Sequence, residues 1–522
     1  MYKISNINLG LKFDKTKLNQ IVADKTKIDK SKILNCRLNK LSLDARHKND
    51  IKYIASIVFD YMGDLNLSKY KNIEKFEEID CKTPKWQGEK KDIVIVGSGP
   101  SGLFTALEMV ESGCNVTILE RGYEMEKRKN AVDNLMKNGV LDVKSNIQFG
   151  EGGAGTFSDG KLNTGIKSEF IRKVLQTFVK FGGNENILYD SKPHIGTDIL
   201  SNVIVNIRNY LIDKGCKILF EHTLKNIEIT DGRVSKIIID TPNGETYLAP
   251  DILIMAIGHS SRDTIRMLYN KGLNVKPKPF SMGVRIEHKQ SDINMSQYGD
   301  VYLRELPPAD YQLSERLDSG RVVYTFCMCP GGVVVPATSE EGAVVTNGMS
   351  YNARDGENAN SALLVSISPE DFEGDNALSG IEFQEKYERL AYSTGFVATV
   401  QKVGDFLAGK VTTSLGKVKP SYKPKFKLGS IEKMLPNYIV TSLKEGLVKL
   451  DKRLKNFADS DAILTGIESR SSAPYQVLRD EEMRTNISNL YMIGEGAGFA
   501  GGIVSSAVDG IKVARKIIEK YN

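Results

Sequence analysis

Tryptophan is almost missing from this 522-residue chain, Trp86 being its only copy, and cysteine is sparse, with six in all. No two cysteines have C-x-x-C or zinc-finger spacing, so neither a disulfide scaffold nor a structural zinc site organises the fold, and no metal is expected. A reducing, cytoplasmic compartment is the expectation. Long hydrophobic runs are missing as well. The longest, such as 252–257, are strand-length, far below the roughly 20 apolar residues of a membrane helix. The first residues, Met1-Tyr2-Lys3-Ile4-Ser5, lack a charged stretch followed by an apolar one, so no secretory signal is read there. Charge is nearly balanced, with 71 basic and 65 acidic side chains. The small excess lies in residues 1–90, which hold 19 Lys and Arg against 12 Asp and Glu. Such a surface can meet nucleic acid or an acidic partner. No aromatic-basic stacking motif accompanies it, so a solvated lysine-rich face is favoured and nucleic acid is not expected. What remains, at 41% hydrophobic and 26% charged residues, is a globular chain. At about 150 residues per domain it makes three or four domain-sized masses.

Residues 1–88 read as a small α+β unit with a linker. Period-two alternation predicts strands over 2–9, 33–43 and 50–59, and a helix fits 15–22. The character changes at Lys91. Asp92-Ile93-Val94-Ile95-Val96 is a continuous β-branched run, as in a strand buried on both faces of a parallel sheet. It runs into Gly97-Ser98-Gly99-Pro100-Ser101-Gly102, then a helix to Ser112, then a second strand over 115–119 ending at Glu120. That is a βαβ unit in the right order. Helices follow near 168–181 and 197–214, short strands near 217–220, 225–229, 235–240 and 245–248, and a buried strand over 251–257. Frequent prolines then mark residues 276–464 as an inserted second domain. It is read as mixed α+β, with helices near 381–392 and 438–457. A strand over 489–493, a glycine-rich turn and a closing helix from about Ile503 return the chain to the first domain. The expected fold is α/β: a Rossmann-like dinucleotide-binding core built from 89–275 and 465–522, the inserted domain, and the small N-terminal unit.

The G-x-G-x-x-G of Gly97, Gly99 and Gly102 carries the clearest chemistry because it lies between a buried strand and a helix. Gly97 permits the tight turn, Gly99 lets backbone approach a pyrophosphate, and Gly102 lets helix and strand pack closely. Ser98, Pro100 and Ser101 complete the turn, and the helix N-terminus supplies N–H groups for phosphates. Glu120 can accept from adenosine ribose hydroxyls, and its charge argues against a 2′-phosphate. The C-terminal block Tyr491-Met492-Ile493-Gly494-Glu495, followed by glycines and a terminal helix, is the arrangement of FAD-binding members of this fold. There Glu495 would accept from a ribityl or ribose hydroxyl. The helix opening at Gly502-Ile503 would aim its dipole at the flavin. The segment 149–162 is glycine-dense as if backbone must come close to a ligand. Gly153 and Lys161 within it, Arg128 on the preceding helix as a phosphate ligand, Arg121, and Leu224 and Gly258 beside later strands complete the predicted cofactor set.

Several stretches carry a resemblance: Ser42-Leu43-Asp44-Ala45-Arg46, the segment 149–162, and Lys278-Pro279-Phe280-Ser281-Met282-Gly283-Val284-Arg285-Ile286-Glu287-His288. Phe326-Cys327-Met328-Cys329-Pro330-Gly331-Gly332, Asn347-Gly348-Met349-Ser350-Tyr351 and 494–510 continue it. Across nearly its whole length the chain resembles a bacterial family of FAD-dependent dehydrogenases, or NAD(P)/FAD-dependent oxidoreductases, with an FAD-dependent C-terminal domain. The resemblance implies FAD, a dinucleotide-binding core and an inserted substrate domain, and it supplies no substrate. One departure stands out. After Arg470-Ser471-Ser472-Ala473-Pro474 the family carries Val-Arg-Ile, and this chain has Tyr475-Gln476-Val477. A changed substrate preference would follow if that arginine meets substrate or flavin.

The candidate catalytic groups lie in the inserted domain and at its border. Arg285 and His288 are placed on one strand facing the cofactor cleft, His288 as a proton donor and Arg285 holding a carboxylate or a flavin oxygen. A structural salt bridge or hydrogen bond is the competing role of each. Arg470 and Tyr351 are further cleft candidates. Cys327 and Cys329 form a C-x-C, read either as buried small residues or as thiols near the flavin. His259 is read as a loop residue near the adenine side. No second strand–G-x-G-x-x-G–helix unit exists for nicotinamide. Electrons are therefore expected from a small-molecule substrate, a transient NAD(P)H or an electron-carrier protein. The expected activity is hydride transfer between flavin N5 and a small organic substrate. A flavin monooxygenase and an FAD-containing binding protein with a basic N-terminal contact surface are the alternatives.

Overall fold

The computed structural model describes residues 1–299, 306–374 and 376–522. The first residues form a four-stranded antiparallel sheet in the order Ile33–Asp44, Lys52–Tyr61, Tyr2–Leu9, Ile73–Lys75. Helix Leu18–Thr26 closes its apolar face through Leu18 and Val22, which pack with Ile4, Ile57 and Phe59. The helix starts later than the sequence predicts, because Lys15–Lys17 forms a 3-10 turn capped by the Asp14 carboxylate.

A five-stranded parallel sheet lies at the centre, in the order Leu490–Met492, Ile252–Met255, Asp92–Val96, Asn115–Leu119, Lys217–Leu219. Its strands are apolar throughout because both faces are covered. Ile93, Ile95, Ile118 and Ile254 face helices Pro100–Ser112, Phe170–Lys180, Thr197–Asp213 and Ile503–Tyr521. Val94, Leu119, Leu253 and Met255 face the opposite layer. That layer is a three-stranded antiparallel sheet of Thr223–Thr230, Arg233–Thr241 and Gly244–Leu248. The chain's last strand pairs with Ile252–Met255, so the C-terminal segment completes the sheet begun by the first βαβ unit.

Residues from Phe280 onward build a seven-stranded sheet. Its order is Ser314–Arg316, Val322–Cys329, Asn358–Ile367, Phe280–Lys289, Ile463–Glu468, Ala398–Lys402, Phe426–Leu428. All neighbours are antiparallel except the last pair. Helix Asn437–Asp451 covers one face through Ile439, Leu443, Leu447 and Leu450. The boundary expected at 464 falls inside strand Ile463–Glu468, whose whole length belongs to this sheet. Turn chemistry begins only at Ser469-Arg470-Ser471-Ser472, which is where the chain leaves. The two crossings run side by side as an antiparallel pair, Val275–Pro277 with Tyr475–Val477. The tyrosine that departs from the family pattern, Tyr475, is fully buried in that pair. Among the described residues no helix is long and apolar enough to cross a membrane.

Candidate functional site

The central sheet ends in the turn that starts the first long helix. Gly97 sits at φ +106°, where a Cβ would collide with the Ala256 carbonyl, and a Cβ on Gly102 would collide with the Gly97 carbonyl. Both glycines are demanded by the protein's own packing. Gly99 is different. The nearest atom to a Cβ there is Gly153 Cα at 3.8 Å, so its open side faces a cleft. The cleft, about 420 Å³, is walled by Ser98, Glu120, Arg121 and the glycine-rich segment, and reaches the seven-stranded sheet at Cys327. Glu120 organises the near end. Its Oε2 accepts from the N–H and Oγ–H of Ser98, and its Oε1 from the N–H groups of Gly122 and Gly150. Arg121 stacks on Phe149 at 4.4 Å and donates to Asp263. Two helix N-termini open on the cleft, at Gly99-Pro100 and at Gly502-Ile503, and neither has a side-chain cap for its first turn from outside the helix. Free N–H groups and the positive end of each dipole therefore face the space.

The far end is made of side chains. Asp159 is buried and accepts from Ser350 Oγ and, at 2.8 Å, from Arg354 Nη2, with Lys161 at 3.6 Å. Burial pushes its pKa up, but Lys161 and Arg354 outweigh burial and hold it below the ordinary carboxylate value. His194 beside them is kept neutral, pushed down to about 4 by burial and then by Arg354. Cys327 lines the cleft with a thiol drawn down to about 6. The Cys329 thiol hydrogen bond lowers it, burial opposes, and Lys161 and Arg285 add to the lowering.

Midway along, Arg470 enters the wall. It shares the fully buried Glu388 carboxylate with Arg262, each guanidinium within 2.8 Å, and also donates to Ser260 and Ser339. Arg262 begins a helix of the central layer and Glu388 lies on helix Ser379–Leu390 of the other, so this triad joins them. His259 faces the cleft and bonds Ser260 Oγ. Its pKa is pushed down to about 3 by the surrounding protein and by the Arg470 and Arg262 charges.

Of the residues named from sequence, Gly97, Ser98, Gly99, Pro100, Ser101, Glu120, Arg121, Gly153, Lys161, Leu224 and Gly258 line the cleft, as do Glu495, Gly502, Ile503, Arg470 and Cys327. Gly102 and Gly494 lie behind it, packed on Gly97 and Ser101. Four expectations are corrected. His288 is outside the cleft, its ring against Phe457 and Tyr311 and its Nε2 bonded to the Phe457 carbonyl. Arg285 and His288 are three apart on one strand, so the pleat sends them to opposite faces. Arg285 is on the cleft side but fully committed. It donates to Glu468, to Asn360 Oδ1, to the Cys327 carbonyl and to Cys329 Sγ. Arg128 does not reach toward a phosphate. It is fully buried on the ring of Phe157, at 4.7 Å, and its guanidinium binds the carbonyls of Asn146, Ile147, Gly150 and Glu151. It thus shapes the glycine-rich segment from behind. Tyr351 is half exposed and away from the wall. Sequence reasoning missed Asp159 and Arg354, and the only signal for Asp159 was its place in Ser158-Asp159-Gly160-Lys161.

A model described as "FAD-dependent protein, C-terminal domain-like" matches residues 279–471, and a domain of unknown function matches 1–59. An uncharacterised protein of Clostridium beijerinckii is 46% identical over 533 residues, covering all of this chain and 99% of that one. The chain belongs to this family of FAD-dependent proteins. Among solved structures, flavin-dependent brominase Bmp2 aligns over 83% of this chain and 80% of its own at 11% identity, with a TM-score of 0.39. An E. coli quinol fumarate reductase variant covers 83% and 71% at 11% identity, with a TM-score of 0.36. The FAD-dependent protein's cleft suits such a group. The opening beside Gly99 is free of side chains, a Cβ on Gly153 would press within 2.9 Å of Gly99 Cα, and two uncapped helix N-termini face an elongated space.

Proposed function

We propose that this FAD-dependent protein is an oxidoreductase that moves a hydride between the flavin and a small organic substrate held at the Cys327 end of the cleft. One observation carries the reading. A single continuous cleft joins the glycine turn at Gly97–Gly99 to a polar pocket of Asp159, Lys161, Arg354 and Asn347 against the seven-stranded sheet. The residues that would hold FAD are the 97–101 turn and Gly153 at the pyrophosphate, Glu120 and Arg121 at the adenosine, and Glu495 with the Gly502-Ile503 helix start at the flavin end. A ribose would replace Ser98 Oγ on Glu120, since both carboxylate oxygens are already engaged. When bound, FAD supplies the two-electron chemistry. The chain's own residues do the rest. Arg354 and Lys161, anchored on Asp159, present positive charge that suits a carboxylate-bearing substrate. His194, pushed down to about 4, stays neutral across the neutral range. Met328 and Phe326 add apolar surface to the wall beside Cys327.

Anaerobic mixing of the purified yellow protein with fractionated metabolites tests the reading. Bleaching by an organic acid in the absence of NAD(P)H is the expected result. Bleaching only by NAD(P)H, with oxygen then consumed in hydroxylation, would replace it with a monooxygenase.

A further inference from the structure

Strand Val322–Cys329 carries one extra residue against its neighbour, since Phe326 faces Ala362 while Cys329 faces Asn360. Within this bulge Cys327 adopts φ +43°. That left-handed conformation is unfavourable for a non-glycine residue and is kept only where its surroundings over-determine it. Here they do. Arg285, buried and fixed by Glu468 and Asn360, donates to the Cys327 carbonyl at 2.6 Å and to Cys329 Sγ at 3.4 Å. Lys161 Nζ donates to the Met328 carbonyl between the two cysteines.

The strained turn has a chemical consequence. Residues two apart in a regular strand have Cα atoms roughly 6.6 Å apart, near the long limit for a disulfide. In the bulge the chain folds back on itself, and the Cys329 thiol donates to the Cys327 carbonyl at 3.3 Å. Cys327 opens to the cleft while Cys329 is fully buried behind it. The charged groups facing the pair are Lys161 and Asp159 from the glycine-rich segment, Arg285 from strand Phe280–Lys289 and Glu468 from strand Ile463–Glu468. Both anions already have cationic partners, Arg354 and Arg285. Cys327 is the one cysteine drawn down. Burial raises Cys36 to about 11 and Cys216 to about 12, and it also raises Cys81, Cys114 and Cys329.

We propose that Cys327 and Cys329 form a redox-active dithiol that exchanges an electron pair with the bound FAD. In the oxidising direction both S–H bonds break and one S–S bond forms, and two electrons with two protons pass to oxidised FAD, giving FADH2. The reverse restores both thiols. Cys327 is the attacking sulfur, because it is open to the cleft and activated by the cations beside it. Cys329 is the resolving sulfur, held in place by Arg285. The exchange with FAD rests on the reading above, whereas formation of the disulfide does not.

The test uses the holoprotein, reduced with a small-molecule thiol and desalted under anaerobic conditions. Pulsed iodoacetamide across a pH series should label Cys327 about tenfold faster than each other cysteine on the acid side of neutrality. After diamide treatment the peptide spanning both residues should be lighter by two hydrogens. An anaerobic dithionite titration should then consume one more electron pair per flavin in the wild type than in Cys327→Ser or Cys329→Ser. Labelling of Cys327 no faster than Cys36 or Cys81, or a diamide-treated peptide with both thiols intact, overturns the dithiol even if the variants fail to fold. Equal reducing equivalents in all three proteins overturn the exchange with FAD. A colourless protein that still forms the disulfide overturns the flavin reading and the exchange with it, and upholds the dithiol.

Discussion

At the Gly97 end of the cleft the wall is mostly backbone, whereas at the Cys327 end it is mostly side chains, and the two ends tolerate change differently. The near end is assembled from residues close in sequence, and its shape follows from where no Cβ can fit. The far end gathers Asp159, His194, Arg285, Cys327, Arg354 and Glu468 from six separate segments and is held by paired charges. A backbone cradle depends on small residues at fixed positions. A side-chain cluster depends on every buried charge keeping its partner. The Arg262–Glu388–Arg470 triad fastens one end to the other.

The largest expected effect comes from cutting that fastening. Glu388→Ala leaves two buried guanidinium groups without their shared carboxylate and should cost about 3–5 kcal/mol. Thermal unfolding would show a lower midpoint, and an unchanged midpoint would mean the two layers are joined elsewhere. Next, Gly97→Ala and Gly102→Ala should each cost about 1–3 kcal/mol through collision with backbone carbonyls. Gly99→Ala should leave the melting midpoint almost unchanged while weakening FAD retention, read from flavin absorbance after gel filtration. If Gly99→Ala instead unfolds the protein, the distinction between packing glycines and a ligand-facing glycine fails.

A pH experiment probes the wall between the ends. His259 has its folded pKa depressed to about 3, so the unfolded chain binds its proton more readily. Stability from this group is present above the ordinary histidine value near 6.5 and falls as pH drops toward the folded value, by up to about 1.4 kcal/mol per pH unit. Denaturant midpoints of wild type and His259→Gln should converge or cross as the solution is acidified. Parallel curves would show that His259 is not held neutral. The smallest effect is at the far end. Lys161→Met should move the alkylation midpoint of Cys327 upward by about one unit, since one of its two neighbouring cations is gone.

Much of the near end was legible because its signals are local. A β-branched run, a glycine turn, a helix and an acid follow one another within 30 residues, and each has a single structural meaning in that order. The far end was read less well for identifiable reasons. Arg285 and His288 look alike as polar residues on an apolar strand, yet their separation of three puts them on opposite faces of the pleat, a parity argument that the sequence itself permits. Arg128 illustrates a different limit. A buried arginine on a helix before a glycine-rich segment can serve a phosphate or the segment's own carbonyls, and only the folded path of 146–151 decides between them. Asp159 and Arg354 lie 195 residues apart, and nothing local pairs them.

By itself the sequence determined that a parallel α/β layer would form around the 92–120 unit, that the chain would leave it and return near the C-terminus, and where glycine would be obligatory. These follow from the periodicity of apolar residues and from backbone sterics, which act over a few neighbours. Only the tertiary structure decided which charges meet. That sets Arg285 to holding a strained C-x-C bulge, Arg470 to sharing Glu388, and Cys327 to facing the cleft. The reason is that Coulomb and hydrogen-bond partners are chosen by proximity in space, and in this chain proximity at the far end is created by seven strands drawn from the stretch 280–468.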